Sequence, residues 1–196
     1  KAKKIIIGYD HRFGRNRTAD INDLREFGNT YGFSVEEISA KELDDVAVSS
    51  TKIRNALQEG DIATANTYLG YPYRLHGTIV SGKGIGKELG YPTANLKVDE
   101  SYKLIPKKGV YITQTEMDQK RYYGLTSIGT NPTVGGTKKT IETYFMDLNQ
   151  DLYGKEIPLE FLAHIRGEEH FSSVAMLKEA IKKDEDFARK FLKKHE

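Results

Sequence analysis

Two periodicities divide the chain. Up to about residue 70 the apolar positions read as alternating strand and helix. Ile5-Ile6-Ile7 is a short buried-strand run, and Phe33-Ser34-Val35 opens a second extended piece. Between them Ile21, Leu24, Phe27 and Tyr31 recur at helical spacing. Ser50 is placed to cap a helix carrying Ile53, Ala56 and Leu57, and Gly60-Asp61 ends it and starts a short helix through Leu69. Gly70-Tyr71-Pro72 then punctuates the chain. From there the pattern changes to strands, at residues 73–81, 109–115, 122–128, 140–148 and 157–165, separated by Gly, Pro, Asn and Asp clusters. Such a series predicts an antiparallel barrel or sandwich. Residues 173–193 close the chain as an amphipathic helix, with Val174, Leu177, Ile181, Ala188 and Leu192 along one face.

Composition narrows the classes. The 196 residues suffice for one ordinary domain or two small ones. Lys and Arg total 30 against 28 Asp and Glu, a net charge of +2, which gives no electrostatic case for nucleic acid or a membrane surface. With no cysteine there is no disulfide framework, thiolate metal site or cysteine nucleophile, which fits a cytoplasmic location. No apolar run approaches the roughly 18 residues of a membrane span.

The chemistry concentrates in Gly82-Lys83-Gly84-Ile85-Gly86-Lys87-Glu88-Leu89-Gly90-Tyr91-Pro92-Thr93-Ala94-Asn95. Glycines let a backbone approach a ligand closely and turn N–H groups toward an anion. The lysines add positive charge. Thr93 and Asn95 stand two apart, so in an extended segment both point the same way, toward one hard cation bridging phosphates. A Walker A loop does not fit, because Ser81 stands where its first glycine belongs and Glu88 follows Lys87. A dinucleotide fingerprint begun at Gly84 ends on Leu89. In Thr140-Ile141-Glu142-Thr143-Tyr144, alternation puts Glu142 and Tyr144 on one face. By residue type alone Glu142 is either a solvated strand carboxylate or a general base. Tyr153 is equally a turn aromatic, Arg166 a surface charge, and Phe171 a staple for the last helix.

The full string resembles the riboflavin kinase family, the flavokinase half of bacterial bifunctional riboflavin kinase/FAD synthetases. Ser127-Ile128-Gly129-Thr130-Asn131-Pro132-Thr133, Asp151-Leu152-Tyr153-Gly154 and Phe161-Leu162-Ala163-His164-Ile165-Arg166 continue the resemblance, which runs from about Tyr73 to the C-terminus. One departure is Lys87, where bacterial members often have Arg; lysine keeps the charge and loses the bidentate fork. The resemblance implies a small antiparallel β-barrel with a C-terminal helix. It implies ATP and riboflavin as substrates, ADP and FMN as products, and Mg²⁺ with the nucleotide. Gly82, Gly84, Gly86 and Lys87 would then wrap the phosphates, Thr93 and Asn95 would hold the metal, and Tyr153 would lie on the adenosine side. Glu142 becomes the base for the ribityl 5′-hydroxyl, and Arg166 and Phe171 become flavin contacts.

Gly8-Tyr9-Asp10-His11-Arg12-Phe13-Gly14 and Ser49-Ser50-Thr51-Lys52-Ile53-Arg54 resemble two motifs of the FAD synthetase (FMN adenylyltransferase) half, with His11 where Phe is common. The resemblance makes Ser49, Ser50, Thr51 and Arg54 a remnant ATP-phosphate motif near a helix N-terminus. Without it, they read as a plain serine cap beside an exposed arginine. That half uses an upstream His-x-Gly-His motif, a spacing found nowhere in this sequence. The expected organisation is therefore an α/β C-terminal part of a truncated adenylyltransferase domain in residues 1–72, unable to make FAD, and a riboflavin kinase domain in residues 73–196. A sheet remnant of that kind leaves strand edges open to self-association. Two other classes are weighed. One is a flavin- or nucleotide-binding module without turnover. The other is a single-strand nucleic-acid barrel using the twelve tyrosines as stacking platforms, which the near-neutral charge disfavours.

Overall fold

The computed structural model describes residues 2–9, 11–38, 42–43, 46–82, 84–133 and 136–195. It comprises two compact units, Lys1–Ser49 and Ser50–Glu196. In the first, strands β1 (Lys4–Gly8) and β2 (Ser34–Ile38) pair in parallel with Ile5 opposite Val35, and α1 (Ile21–Tyr31) makes the crossover. Asp20 caps α1 by accepting from the Asn22 N–H at 2.8 Å, while the Asp23 carboxylate accepts from the Asp20 N–H at 2.7 Å. Strands β3 (Glu42–Leu43) and β4 (Val46–Ala47) form a minimal antiparallel pair. The helical spacing is as expected, but its burial is not uniform. Leu24 is buried, whereas Phe27 and Tyr31 are exposed, because a two-stranded sheet covers only a narrow stripe of α1.

The second unit opens with α2 (Ser50–Glu59) and α3 (Ile62–Leu69), followed by β5 (Tyr73–Val80), the one-turn α4 (Ile85–Glu88) and β6 (Ala94–Val98). Then come β7 (Gly109–Met117), β8 (Lys120–Thr133), β9 (Gly136–Phe145), β10 (Glu156–Arg166) and α5 (Val174–Leu192). The strands close into an antiparallel barrel in the order β10-β5-β6-β9-β8-β7, with β7 returning to β10. All five expected strands are present. The sixth, β6, escapes the pattern because Pro92 and the small Ala94 mask a short alternation. Among the described residues no helix is long and apolar enough to cross a membrane.

Alternation sends Leu75, Ile79, Leu96, Tyr111, Ile128, Ile141, Phe145, Leu159 and Phe161 to the barrel interior. Leu57, Ile62 and Ala65 of the helix pair join that same core. Asn66 fastens the join: its amide donates to the Phe161 carbonyl at 2.8 Å and accepts from the Tyr73 N–H at 2.7 Å. By packing, α2 and α3 thus belong with the barrel, whereas the 72/73 boundary rests on sequence resemblance. A second apolar cluster lies outside the barrel wall, where Ile112, Leu125 and Met146 meet Ala188 and Ile181 of α5. Two bulges in β10, between Phe161 and Ala163 and between His164 and Arg166, disturb its pairing with β7 just before this outer face.

Candidate active site

The Gly-rich loop, β6 and β9 converge on the outer wall of the barrel. β6 pairs with β9 so that Asn95 stands opposite Glu142 and Ala94 opposite Thr143. Thr143 points into the core, which leaves Glu142 and Tyr144 facing out. The Thr93 hydroxyl donates to Glu142 Oε2 at 3.4 Å, a long hydrogen bond that gathers the two side chains at one point. The loop packs directly on them. A Cβ at Gly82 would fall 2.1 Å from the Asn95 amide nitrogen, and one at Gly86 would fall 2.3 Å from the Tyr91 carbonyl oxygen. At Gly86 the atom met is backbone, so only glycine fits there; at Gly82 it is the end of the Asn95 side chain, so a larger residue would displace Asn95. Gly84, in the left-handed region, leads into α4, which ends with Lys87 and Glu88. Lys83 and Asp10 lie outside the described residues.

Two cavities meet at Thr93. The larger, about 660 Å³, is bounded by Gly86, Tyr91, Thr93, Glu142 and Tyr144, by Val110, Leu125 and Ile128 of the wall, and by Leu177 and Ile181 of α5. Its far end holds the charged Arg166 and Asp184 beside the Phe171 ring. The smaller, about 360 Å³, places Lys87 and Tyr153 with Pro92, Thr93, Thr143 and Leu152. A third, about 550 Å³, lies on the other side of Asn95 and Glu142 and includes Gly82, Lys97 and Lys103.

Tyr91 from the loop and Tyr144 from β9 meet edge to face, with centroids 5.1 Å apart. Burial, reinforced by the Glu185 carboxylate, pushes both phenols above the ordinary tyrosine value. Arg166 sits at the end of β10. Its guanidinium binds the Asp184 carboxylate, with Nη2–Oδ2 at 2.8 Å and Nε–Oδ1 at 3.0 Å, and lies 5.5 Å from the Phe171 ring centroid.

The structure therefore brings Gly82, Gly86, Thr93, Asn95 and Glu142 together, with Lys87 and Tyr153 in the adjoining cavity and Arg166 and Phe171 at the far end of the large one. Ser50, Thr51 and Arg54 lie exposed on the first turns of α2, which begins at Ser50, and Ser49 ends the other compact unit. Sequence reasoning gave no role to Tyr91, Tyr144 or Asp184. Alternation with Glu142 already placed Tyr144 on the right face. Asp184 falls between Ile181 and Ala188 at helical spacing, a charge inside an apolar stripe, and that was its signal.

The antiparallel barrel thus carries a glycine loop, a hydroxyl and an amide side chain at the start of one strand, and an outward carboxylate beside two cavities. Comparison with known proteins gives its family. A family model described as riboflavin kinase matches residues 69–192, and one described as FAD synthetase matches residues 1–52. The bifunctional riboflavin kinase/FMN adenylyltransferase of Escherichia coli (strain K12) is 35% identical over 192 residues, covering 97% of this chain and 61% of that protein. The protein of the same description from Pseudomonas fluorescens is 36% identical, covering 94% and 59%. A crystal structure described as a macrolide-efflux protein from Streptococcus pneumoniae superposes with a TM-score of 0.86 at 34% identity, over 96% of this chain and 60% of that one. The chain spans about three-fifths of the length of the relatives it matches. It belongs to the riboflavin kinase family.

Proposed function

We propose that this chain transfers the γ-phosphate of ATP to the ribityl 5′-hydroxyl of riboflavin, giving ADP and FMN. The observation that carries the reading is the Thr93–Glu142 contact at the junction of two cavities of unequal size and character. The large one, apolar along its walls and polar at its end, suits an isoalloxazine. The small one, with Lys87 and Tyr153, suits the nucleotide. In this reading Glu142 accepts the hydroxyl proton, and the oxygen attacks the γ-phosphorus. The bond to the β–γ bridging oxygen breaks, and ADP leaves with its electron pair. The backbone of Gly82, Gly84 and Gly86 and the Lys87 ammonium hold the phosphates, while Arg166 and Phe171 form the flavin end.

The hard oxygens of Thr93 and Asn95, beside the Glu142 carboxylate, fit Mg²⁺, which takes few protein ligands when phosphates supply the rest. Bound there, Mg²⁺ would neutralise charge on the transferring phosphoryl group. A cytoplasmic location goes with ATP as substrate. Division into an adenylyltransferase part, residues 1–72, and a kinase part, residues 73–196, belongs to the same proposal, with Ser49, Ser50, Thr51 and Arg54 as its phosphate motif.

The test is incubation of the purified chain with riboflavin, ATP and Mg²⁺, with chromatographic separation of riboflavin, FMN and FAD. FMN without FAD is expected. Flavin binding without any FMN would replace this reading with a binding module lacking turnover.

A further inference from the structure

The apolar stripe of α5 is broken by one charge. Asp184 is only 5% exposed, and its carboxylate is held by Arg166 alone among the described residues: Nε donates to Oδ1 at 3.0 Å and to Oδ2 at 3.2 Å, and Nη2 donates to Oδ2 at 2.8 Å. The same guanidinium reaches into the loop that follows β10. Nη1 donates to the Gly167 carbonyl at 3.3 Å, stands 3.7 Å from the Glu169 carboxylate, and the group lies over the Phe171 ring. One cation thus joins the barrel wall, the last helix and the loop over residues 167–173. All three elements line the large cavity.

A buried ion pair is a poor way to gain stability, since desolvation offsets most of its attraction and an apolar pair of equal volume often serves as well. The dry cluster of Ile112, Leu125, Met146 and Ala188 already fastens α5 to the wall. The pair stands instead at the cavity end, with the Phe171 ring against the guanidinium. With Nε, Nη1 and Nη2 each donating to a protein oxygen, the orientation of Arg166 at the flavin end is fixed by its own neighbours. We propose that Asp184 is a positioning residue for flavin binding, acting through Arg166 to hold Phe171 and its loop in place. The proposal rests on the riboflavin kinase reading.

The experiment compares Asp184→Asn, Asp184→Glu and the paired Arg166→Met/Asp184→Leu with the unaltered chain. Three quantities are read: melting temperature, riboflavin Kd by flavin fluorescence, and KM for riboflavin and for ATP. Asp184→Asn is expected to raise riboflavin Kd and KM roughly tenfold while ATP KM stays within about twofold. Asp184→Glu recovers part of the affinity. The paired apolar variant recovers the melting temperature but not riboflavin affinity. Recovery of both, an equal rise in both KM values, or a lower melting temperature with unchanged riboflavin affinity would overturn the proposal and leave a purely structural pair. If the unaltered chain binds flavin but makes no FMN, the kinase reading fails while the Kd comparison still decides on Asp184. An unaltered chain that binds no flavin overturns both.

Discussion

Helices α2–α3 and helix α5 pack on the same barrel and do so in opposite ways. The α2–α3 side is apolar and closed. Leu57, Ile62 and Ala65 are almost fully buried in the interior core, and Asn66 satisfies the two backbone groups exposed by the join. The α5 side is only partly dry. It reaches the wall through Ala188 and Ile181, then through Arg166–Asp184 and Arg189–Asp147, and between these fastenings it leaves a cavity of about 660 Å³. Apolar contact is non-directional and tolerates no gap, so it suits the side that only has to hold. Charged hydrogen bonds fix orientation across a gap, so they suit the side that has to leave room for a ligand.

The largest expected effect on that contrast comes from the closed side. Leu57→Ala should lower unfolding free energy by about 2–5 kcal/mol, read by chemical denaturation, with riboflavin and ATP KM unchanged in the folded protein. A large KM change at constant stability would mean that α2 also shapes the site. Next is Gly86→Ala. Its Cβ would meet the Tyr91 carbonyl at 2.3 Å, so the loop must shift relative to Thr93. A displacement on the order of 1 Å lowers kcat/KM by roughly 10²-fold, and the melting temperature should barely move.

Arg189→Gln sharpens the comparison from the ionic side. Arg189 bridges Asp147 at 2.9 Å and Glu185 at 2.8 Å, and the arginine and Asp147 are both well exposed. Its removal should cost no more than about 1 kcal/mol, and added salt should mask the difference. The smallest effect is a pH dependence on the closed side. His164 lies tilted against Tyr111 near Gly60, with its Nε2 buried. Burial, opposed by a backbone hydrogen bond at Arg166 and aided by Lys107, holds its pKa below the ordinary histidine value. The folded chain therefore binds fewer protons. Stability is fully present above the unfolded value of about 6.5 and is lost as pH falls below it toward the folded pKa. Melting temperature against pH should show that decline, and His164→Gln should flatten it.

Much of this was legible because the barrel obeys simple alternation. Residues such as Leu75, Ile79, Ile141 and Phe145 mark their strands by inward spacing, and the Asp61 and Ser173 caps mark the starts of α3 and α5. The Thr93–Glu142 meeting followed only from motif resemblance, since no local rule pairs residues on β6 and β9. What stayed hidden was non-local. The β10 bulges change which residues face α5, and no property of Leu162 or Ile165 announces them. The barrel also buries a row of hydroxyls, Thr113–Thr126–Thr143, each contact 2.8 Å. Threonine's strand preference disguises such a row until three strands are aligned. The union of α2–α3 with the barrel was hidden for the same reason, because Asn66 reads as an ordinary helix residue until Phe161 is beside it.

The most direct test of the whole account is Glu142→Gln, with turnover and flavin binding measured on one preparation. The amide keeps the side chain's shape and removes its capacity to take a proton. The account predicts a fall in kcat of about 10²–10⁴-fold with riboflavin Kd changed by less than about threefold. Undiminished FMN formation by Glu142→Gln would contradict it and move the chemistry away from the meeting point of β6 and β9.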